Sequence, residues 1–372
     1  DDAQQTRPAG RSFWKVKTYT RKGQFKPSRK AFIPGVDFEG WRHYIEMIFP
    51  VSMTLLIIQL VFVLASTREL PPNQQNLHKG IDLPDCTRER DMVVGSRFWA
   101  RGPGDLQRLD TFLRNTKDAV GPRLCALLVA VNSQEDTEAT TSHLIDMGQA
   151  FPLVGVWDVS PWSITGPLNS LLDKAKSLGA TFIIFASVEV HIDRGHLDAL
   201  TSSLDVETLV AGAAMPGHKP MELISPHKTL KCGETLTSKL EGDLIPWNTL
   251  SVWRLNKIAR LGFLKDADAQ DPPGMEEAVP IAMLQNTFSK QNAKAKLIHF
   301  SMDYKPSWEV SFESDIHRRA KQARKMASKN RRTDAQLKAV GLQGEVTHIF
   351  YCANSSLVHA YKEEVNFGKK QH

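Results

Sequence analysis

Between Phe49 and Ser66 the chain reads FPVSMTLLIIQLVFVLAS, eighteen residues without a charge. In hydrocarbon every backbone N–H and C=O must be satisfied internally, which confines a lone segment of this kind to a helix. As helix it spans about 27 Å, close to the apolar thickness of a bilayer. Pro50 falls in the first turn, where its missing N–H costs little. A buried core helix or the apolar part of a signal peptide is the alternative. A cleaved signal, however, sits nearer the start of a chain and ends in small residues, whereas this stretch follows a 48-residue arm. The expectation is one spanning helix over residues 49–66.

Flanking charge orients it. Residues 1–48 carry ten Lys or Arg, while the twenty residues after Ser66 carry only Arg68 and Lys79. The positive-inside rule places the N-terminus in cytosol, matrix or stroma and the larger C-terminal part across the membrane. Residues 3–36 hold nine basic residues and no acid, which favours a mitochondrial or other organellar inner membrane, with a Golgi or ER anchor as the alternative. The arm, RPAGRSFWKVKTYTRKGQFKPSRKAFIPG, has no helical or alternating period and cannot bury enough surface to fold alone. Trp14, Tyr19, Phe25 and Phe32 among its cations suit anchoring on other subunits of a membrane complex. Nucleic acid is not an expected partner, because no recognised nucleic-acid module accompanies the basic residues.

A polar linker over 67–104 follows. The chain is 41% hydrophobic and 24% charged, ordinary values for a globular protein, so special chemistry must be local. A helical stretch around Asp105 to Lys117 leads into the apolar run RLCALLVAVN, and the pattern then repeats. A helix is expected near Glu138–Gln149, a strand over Leu153–Val159, a helix over Leu168–Leu178 and a strand over Thr181–Val190. Strands separated by helices imply a mostly parallel, doubly wound α/β sheet. Ligands bind such sheets beyond the carboxyl ends of the strands, which directs attention to 132–136, 158–160 and 187–191. Cys86, Cys125, Cys232 and Cys352 show no short metal or redox spacing. They all follow the apolar stretch and could pair on an oxidising side of a membrane, but most of the chain lies there too, so the sequence leaves their pairing open.

In this order, LLVAVNSQEDT, WDVS and GPLNSLLDKAKSLGATFIIF resemble segments of the GT-A-fold glycosyltransferases, in particular the large inverting family called family two. The resemblance covers residues 121–300 and implies that Asn132 and Asp158 lie at the nucleotide, although the family's Arg before Asn169 is Leu168 here. It also implies a metal site at the end of the fourth segment, where the family has Asp-x-Asp and this chain has Ser187-Val188-Glu189. Glu189 offers one oxygen ligand to Mg²⁺ or Mn²⁺, while Ser187 offers no charge, and His191 beyond it reads more readily as a surface residue. Further along, the stretch Gly274-Met275-Glu276-Glu277 resembles the Gly-x-Glu-Asp motif that supplies the general base. That places Glu277 in the base position with Glu276 beside it, and the plain alternative is a pair of acids in the first turn of a helix, favoured by its dipole. Trp247 and Trp253 offer faces for stacking on sugars but read more readily as core.

Residues 105–310 thus form the transferase-like domain, and 311–372 a C-terminal extension. The extension contains a basic helix from His317 to Arg332, read as a solvated face or a dock for an acidic partner, then a strand/helix stretch with a sequon at Asn354. Two functions follow. In the preferred one the domain is catalytically degenerate, a pseudoenzyme that needs no cofactor and serves as an accessory subunit of a membrane complex, held by its arm, its helix and the lipid bilayer. In the other it is an active type II membrane glycosyltransferase that uses a UDP- or GDP-sugar and Mg²⁺ or Mn²⁺, with Glu189 as ligand and Glu277 as base.

Overall fold

The apolar runs assemble around the strand pair β1 (Met92–Phe98) and β2 (Leu124–Val131), which lie parallel with Val94 opposite Leu127 and Phe98 opposite Val131. In this computed structural model the described residues are 83–99, 103–132, 142–143, 146, 154–159, 161–220, 231–301, 304–308 and 316–352. The basic arm, the apolar stretch 49–66, most of the helix expected at 138–149 and the sequon lie outside them. Among the described residues no helix is long and apolar enough to cross a membrane.

Nine strands form one mixed sheet. The remaining seven are β3 (Val154–Asp158), β4 (Phe182–Ala186), β6 (Thr208–Ala213), β7 (Thr235–Lys239), β8 (Leu250–Arg254), β9 (Lys294–Phe300) and β11 (Glu345–Tyr351), and the order across the sheet is β3-β2-β1-β4-β8-β6-β9-β11-β7. Five neighbouring pairs are parallel; β8 runs antiparallel to both β4 and β6, and β7 antiparallel to β11. Every residue of β2, β4 and β6 is buried, as expected for strands covered on both faces. Three findings differ from the sequence reading. β1 lies inside the stretch read as linker, and β11 of the C-terminal extension pairs with β9 as an integral strand. The strand expected over Thr181–Val190 stops at Ala186. Ser187 to Glu189 turn, and β5 (Val190–His191) pairs instead with β10 (Ser307–Trp308) in a separate two-stranded ladder.

Helices α1 (Pro103–Val120), α2 (Thr165–Ser177) and α3 (Arg194–Ser202) follow β1, β3 and β5. α2 buries Leu168, Leu171, Leu172 and Ala175, a helical spacing, against β1 and β2. Each buried leucine contributes roughly 2 kcal/mol. Asp268, from a distant loop, caps its first turn by accepting from the Ile164 and Thr165 N–H groups at 2.6 and 3.2 Å, which satisfies donors that a helix start leaves open. The short α4 (Leu255–Ile258) follows β8, and the apolar α5 (Ala278–Phe288) precedes β9. The basic stretch is two helices, α6 (Ile316–Ala327) and α7 (Lys329–Val340), and α7 packs on α5. Two disulfides close the ends. Cys86–Cys125 ties the segment before β1 to β2, and Cys232–Cys352 ties the turn before β7 to the end of β11.

Candidate functional site

Because β1 lies between β2 and β4, its carboxyl end meets the turn after β4, and a cavity of about 210 Å³ opens there. Arg97 and Phe98 of β1 and Trp99 just after it line it, with Asp105 and Arg108 of α1, Trp162, and Ser187, Val188 and Glu189 of the turn. The Ser187 N–H donates to Thr249 O at 3.0 Å, which fixes the turn against the start of β8. The Ser187 hydroxyl donates to Glu189 Oε2. Leu168, where the resembled family carries Arg, is 1% exposed and packs in the core.

A second cavity of about 130 Å³ is lined by Trp247, Gly274, Met275, Glu276, Glu277, Lys325, Lys329 and Arg332 among others. Both cavities are lined by Arg97, Asn248 and Thr249, so they adjoin. Arg97 is held in place twice over: Nη1 donates to Ile164 O at 2.9 Å, and Nη2 pairs with Glu276 Oε1 at 3.2 Å.

The backbone that presents the two acids is unusual. Gly274 has φ 134 and Met275, not a glycine, has φ 67, a conformation that costs of order 1 kcal/mol or more for a residue with a Cβ. A Cβ on Gly274 would stand 2.7 Å from Arg332 Nη1, so a side chain there would have to displace the hydrogen-bonded guanidinium as well as adopt an unfavourable φ. Glu277 occupies the N-cap of α5, but its side chain makes no capping bond. Its Oε1 instead accepts the Asn248 N–H at 2.7 Å. The macrodipole alone therefore does not account for this pair of acids. Burial, then the neighbouring Glu276 charge, push the Glu277 carboxyl up to about 8. A carboxyl poised near neutral pH can exchange a proton with a bound hydroxyl.

The cations around it have opposite leanings. Arg332 is 1% exposed, yet it donates to Pro272 O, Pro273 O, Lys325 O and Ser328 Oγ. Burial lowers the Lys325 pKa and holds the Lys329 ammonium down at about 6. Lys329 lies against the face of Trp247, which stacks on His218 and donates from Nε1 to Gly242 O at 2.8 Å.

Of the residues singled out from the sequence, Glu189, Glu276 and Glu277 converge on these adjoining cavities. Asn132 follows the end of β2, one strand away, and is not among the lining residues. Asp158 ends β3, two strands away, and its side chain lies outside the described residues. His191 is exposed. Trp253 is fully buried core, donating to Asn248 Oδ1, whereas Trp247 lines the second cavity.

Sequence reasoning missed Arg97, Asn248, Lys325, Lys329 and Arg332. A signal for the last two existed: Lys329, Arg332, Thr333, Gln336 and Leu337 are buried at helical spacing, but four of the five are polar, so the stripe reads as a wet face.

A divalent ion does not fit this donor set. Glu189 is the one carboxylate on the turn after β4 and already accepts the Ser187 hydroxyl; the other acid lining this cavity, Asp105, is paired with Arg108 at 3.1 Å. Among the described residues no group of three His, Cys, Asp or Glu side chains converges. Hard cations prefer several oxygen ligands.

No protein-family model matches the chain, and no curated protein matches it. Among solved structures it is similar to the mannosyltransferase PcManGT from Pyrobaculum calidifontis in complex with GDP-Man and Mn²⁺, at 16% identity and a TM-score of 0.39. That similarity covers 56% of this chain, which spans 56% of the length of the mannosyltransferase. It is also similar to a 4-diphosphocytidyl-2C-methyl-D-erythritol synthase, at 14% identity and a TM-score of 0.35, over 65% of this chain and all of that one. Likenesses this distant assign no family and no activity.

Proposed function

We propose that the domain is a GT-A-like nucleotide-sugar glycosyltransferase, with the donor in the cavity at the carboxyl ends of β1 and β4 and the acceptor hydroxyl presented to Glu277 in the adjoining one. One observation carries the reading. Ser187–Glu189 and Glu276–Glu277 are remote in sequence, yet they line neighbouring cavities joined by Arg97, Asn248 and Thr249. In this reading Arg97 positions Glu276, the Asn248 N–H positions Glu277, and Glu277 takes the acceptor proton as the glycosidic bond forms and the nucleoside diphosphate leaves. Burial of that carboxyl supports the role, because its proton affinity then falls in the range where a base is effective.

The two disulfides support placing the domain on the oxidising side of a membrane, with the basic arm opposite and residues 49–66 between. Ser187 in place of a carboxylate favours the second reading, in which the fold serves as an accessory subunit of a membrane complex and binds no donor. Isothermal titration of the full-length chain with UDP and GDP, with Mn²⁺ and with EDTA, decides between them. The transferase reading expects one nucleotide to bind with sub-millimolar affinity under at least one of these conditions. Absence of binding at millimolar nucleotide from a folded chain overturns it, and the proteins that co-purify with the arm then become the subject.

A further inference from the structure

The second cavity is richer in donors than its known partners require. Arg97 is satisfied by Glu276 and Ile164, Arg332 by four oxygens, and Glu277 by the Asn248 N–H. Three donors are left over. Among the described residues neither Lys325 Nζ nor Lys329 Nζ has a carboxylate or hydrogen-bond partner, and Lys329 is 9% exposed. The third is the side-chain amide of Asn248, which is 5% exposed. The Trp253 indole can only donate, and it donates to Asn248 Oδ1 at 2.9 Å. That fixes the amide with its NH₂ elsewhere, and Nδ2 is buried without an acceptor. A buried donor left unmade costs about 1–3 kcal/mol, and a buried ammonium that makes no direct ion pair costs more. The face of Trp247 offsets only part of this. Glu276 and Glu277 share this cavity wall, but Glu276 is paired with Arg97, and the two ammonium groups and the amide outnumber the acids, which suits a compact oxyanion. The cavity has room for about four waters, the scale of a phosphate group and not of a whole nucleotide.

We propose that Lys325, Lys329 and Asn248 Nδ2 bind a phosphate group of the ligand, supplying the charge neutralisation for which a divalent ion does not fit this site. The origin of that phosphate rests on the transferase reading: it is either the donor's diphosphate or a phosphate carried by the acceptor. The depressed ammonium of Lys329 agrees with a site built to be completed by an anion. The charged and titratable groups facing it are Glu277 and Asp243, which raise its pKa, Arg332 and Lys325, which lower it, and His218 beneath Trp247. Lys325 faces Glu276, Arg97, Arg332 and Lys321. A bound phosphate restores the charge on Lys329, so binding takes up a proton near pH 7.

The test is calorimetric titration of the full-length chain with inorganic pyrophosphate in EDTA, in two buffers of different ionisation enthalpy, for wild type, Lys325→Met and Lys329→Met. Binding without divalent metal is expected, weakened at least tenfold in each variant. Proton uptake is expected in wild type and should vanish in Lys329→Met. No pyrophosphate binding by folded wild type, or binding unchanged in both variants, overturns the proposal. Competition separates it from the transferase reading and identifies the source. Displacement by UDP or GDP assigns the site to the donor. Displacement by a sugar phosphate but by neither nucleotide assigns it to the acceptor. Pyrophosphate bound through the lysines but displaced by neither class keeps the anion site and counts against the transferase. Nucleotide binding only with Mn²⁺ and indifferent to both lysines keeps the transferase and overturns the anion site.

Discussion

Replacing Lys329 with Met removes an ammonium while keeping a side chain of similar length, and the structure sets how stability must respond. Burial holds this group down at about 6, against a reference of 10.5. Below about pH 6 both folded and unfolded chains carry the charge, and the folded chain bears the full cost of burying it. Between 6 and 10.5 the unfolded chain binds a proton that the folded chain lacks, so wild-type stability climbs with pH at about 1.4 kcal/mol per unit. The Met variant has no such dependence. It is therefore expected to be more stable than wild type near neutral pH, with an advantage that shrinks by about 2.7 kcal/mol between pH 7 and pH 9. Urea denaturation of both proteins at pH 7, 8 and 9 measures this directly. A difference that is flat across the range, or a variant less stable at every pH, refutes the reading of Lys329 as an uncompensated buried cation.

Glu277→Gln is expected to abolish sugar transfer, at least a hundredfold on the scale of a lost general base, while nucleotide affinity changes less than threefold; retained turnover would remove Glu277 from the chemistry. In wild type the transfer rate should rise with pH through about 8 as the Glu277 carboxyl ionises, and the stability contributed by its protonated form should fall from the unfolded value of 4.5 up to about 8 and level off above it. Cys232→Ser with Cys352→Ser opens a loop of sequence separation 120 and Cys86→Ser with Cys125→Ser one of 39, with chain-entropy costs of about 4.9 and about 3.9 kcal/mol respectively. Denaturant melts should rank the two in that order. Gly274→Ala meets both the positive φ and Arg332 Nη1, and is expected to lower stability by about 1–3 kcal/mol and to reduce activity by moving Glu276 and Glu277.

The sheet was legible where its strands are long apolar runs: Leu124–Val131, Val154–Asp158 and Phe182–Ala186 all fall inside stretches read as strand. β1 was not, because MVVGSRF carries only a short apolar start and has Arg97 as its penultimate residue, whose side chain reaches Ile164 and Glu276. Missing it moved attention to Asn132 and Asp158 at the ends of β2 and β3, although the strand beside the Ser187 turn is β1. The acids were legible because Gly274-Met275-Glu276-Glu277 is contiguous. The cations were not, because Lys325, Lys329 and Arg332 belong to a sequence so basic that a solvated surface is its default reading, and only the tertiary packing of α7 on α5 turns Lys329 and Arg332 inward. Asn248 carries no sequence signal; its role comes from the donor-only indole of Trp253. Cysteine spacing could not give the pairing, since a disulfide depends on strands meeting in space.

Placement of the donor nucleotide in the cavity at the carboxyl ends of β1 and β4 is tested most directly by photo-crosslinking the full-length chain with an azido-substituted UDP and its GDP counterpart, followed by peptide mapping. The account predicts labelled peptides containing 97–99, 187–189 or 248–249, protected by the unmodified nucleotide. Specific labelling on another face of the domain, with these peptides unmodified, would contradict it.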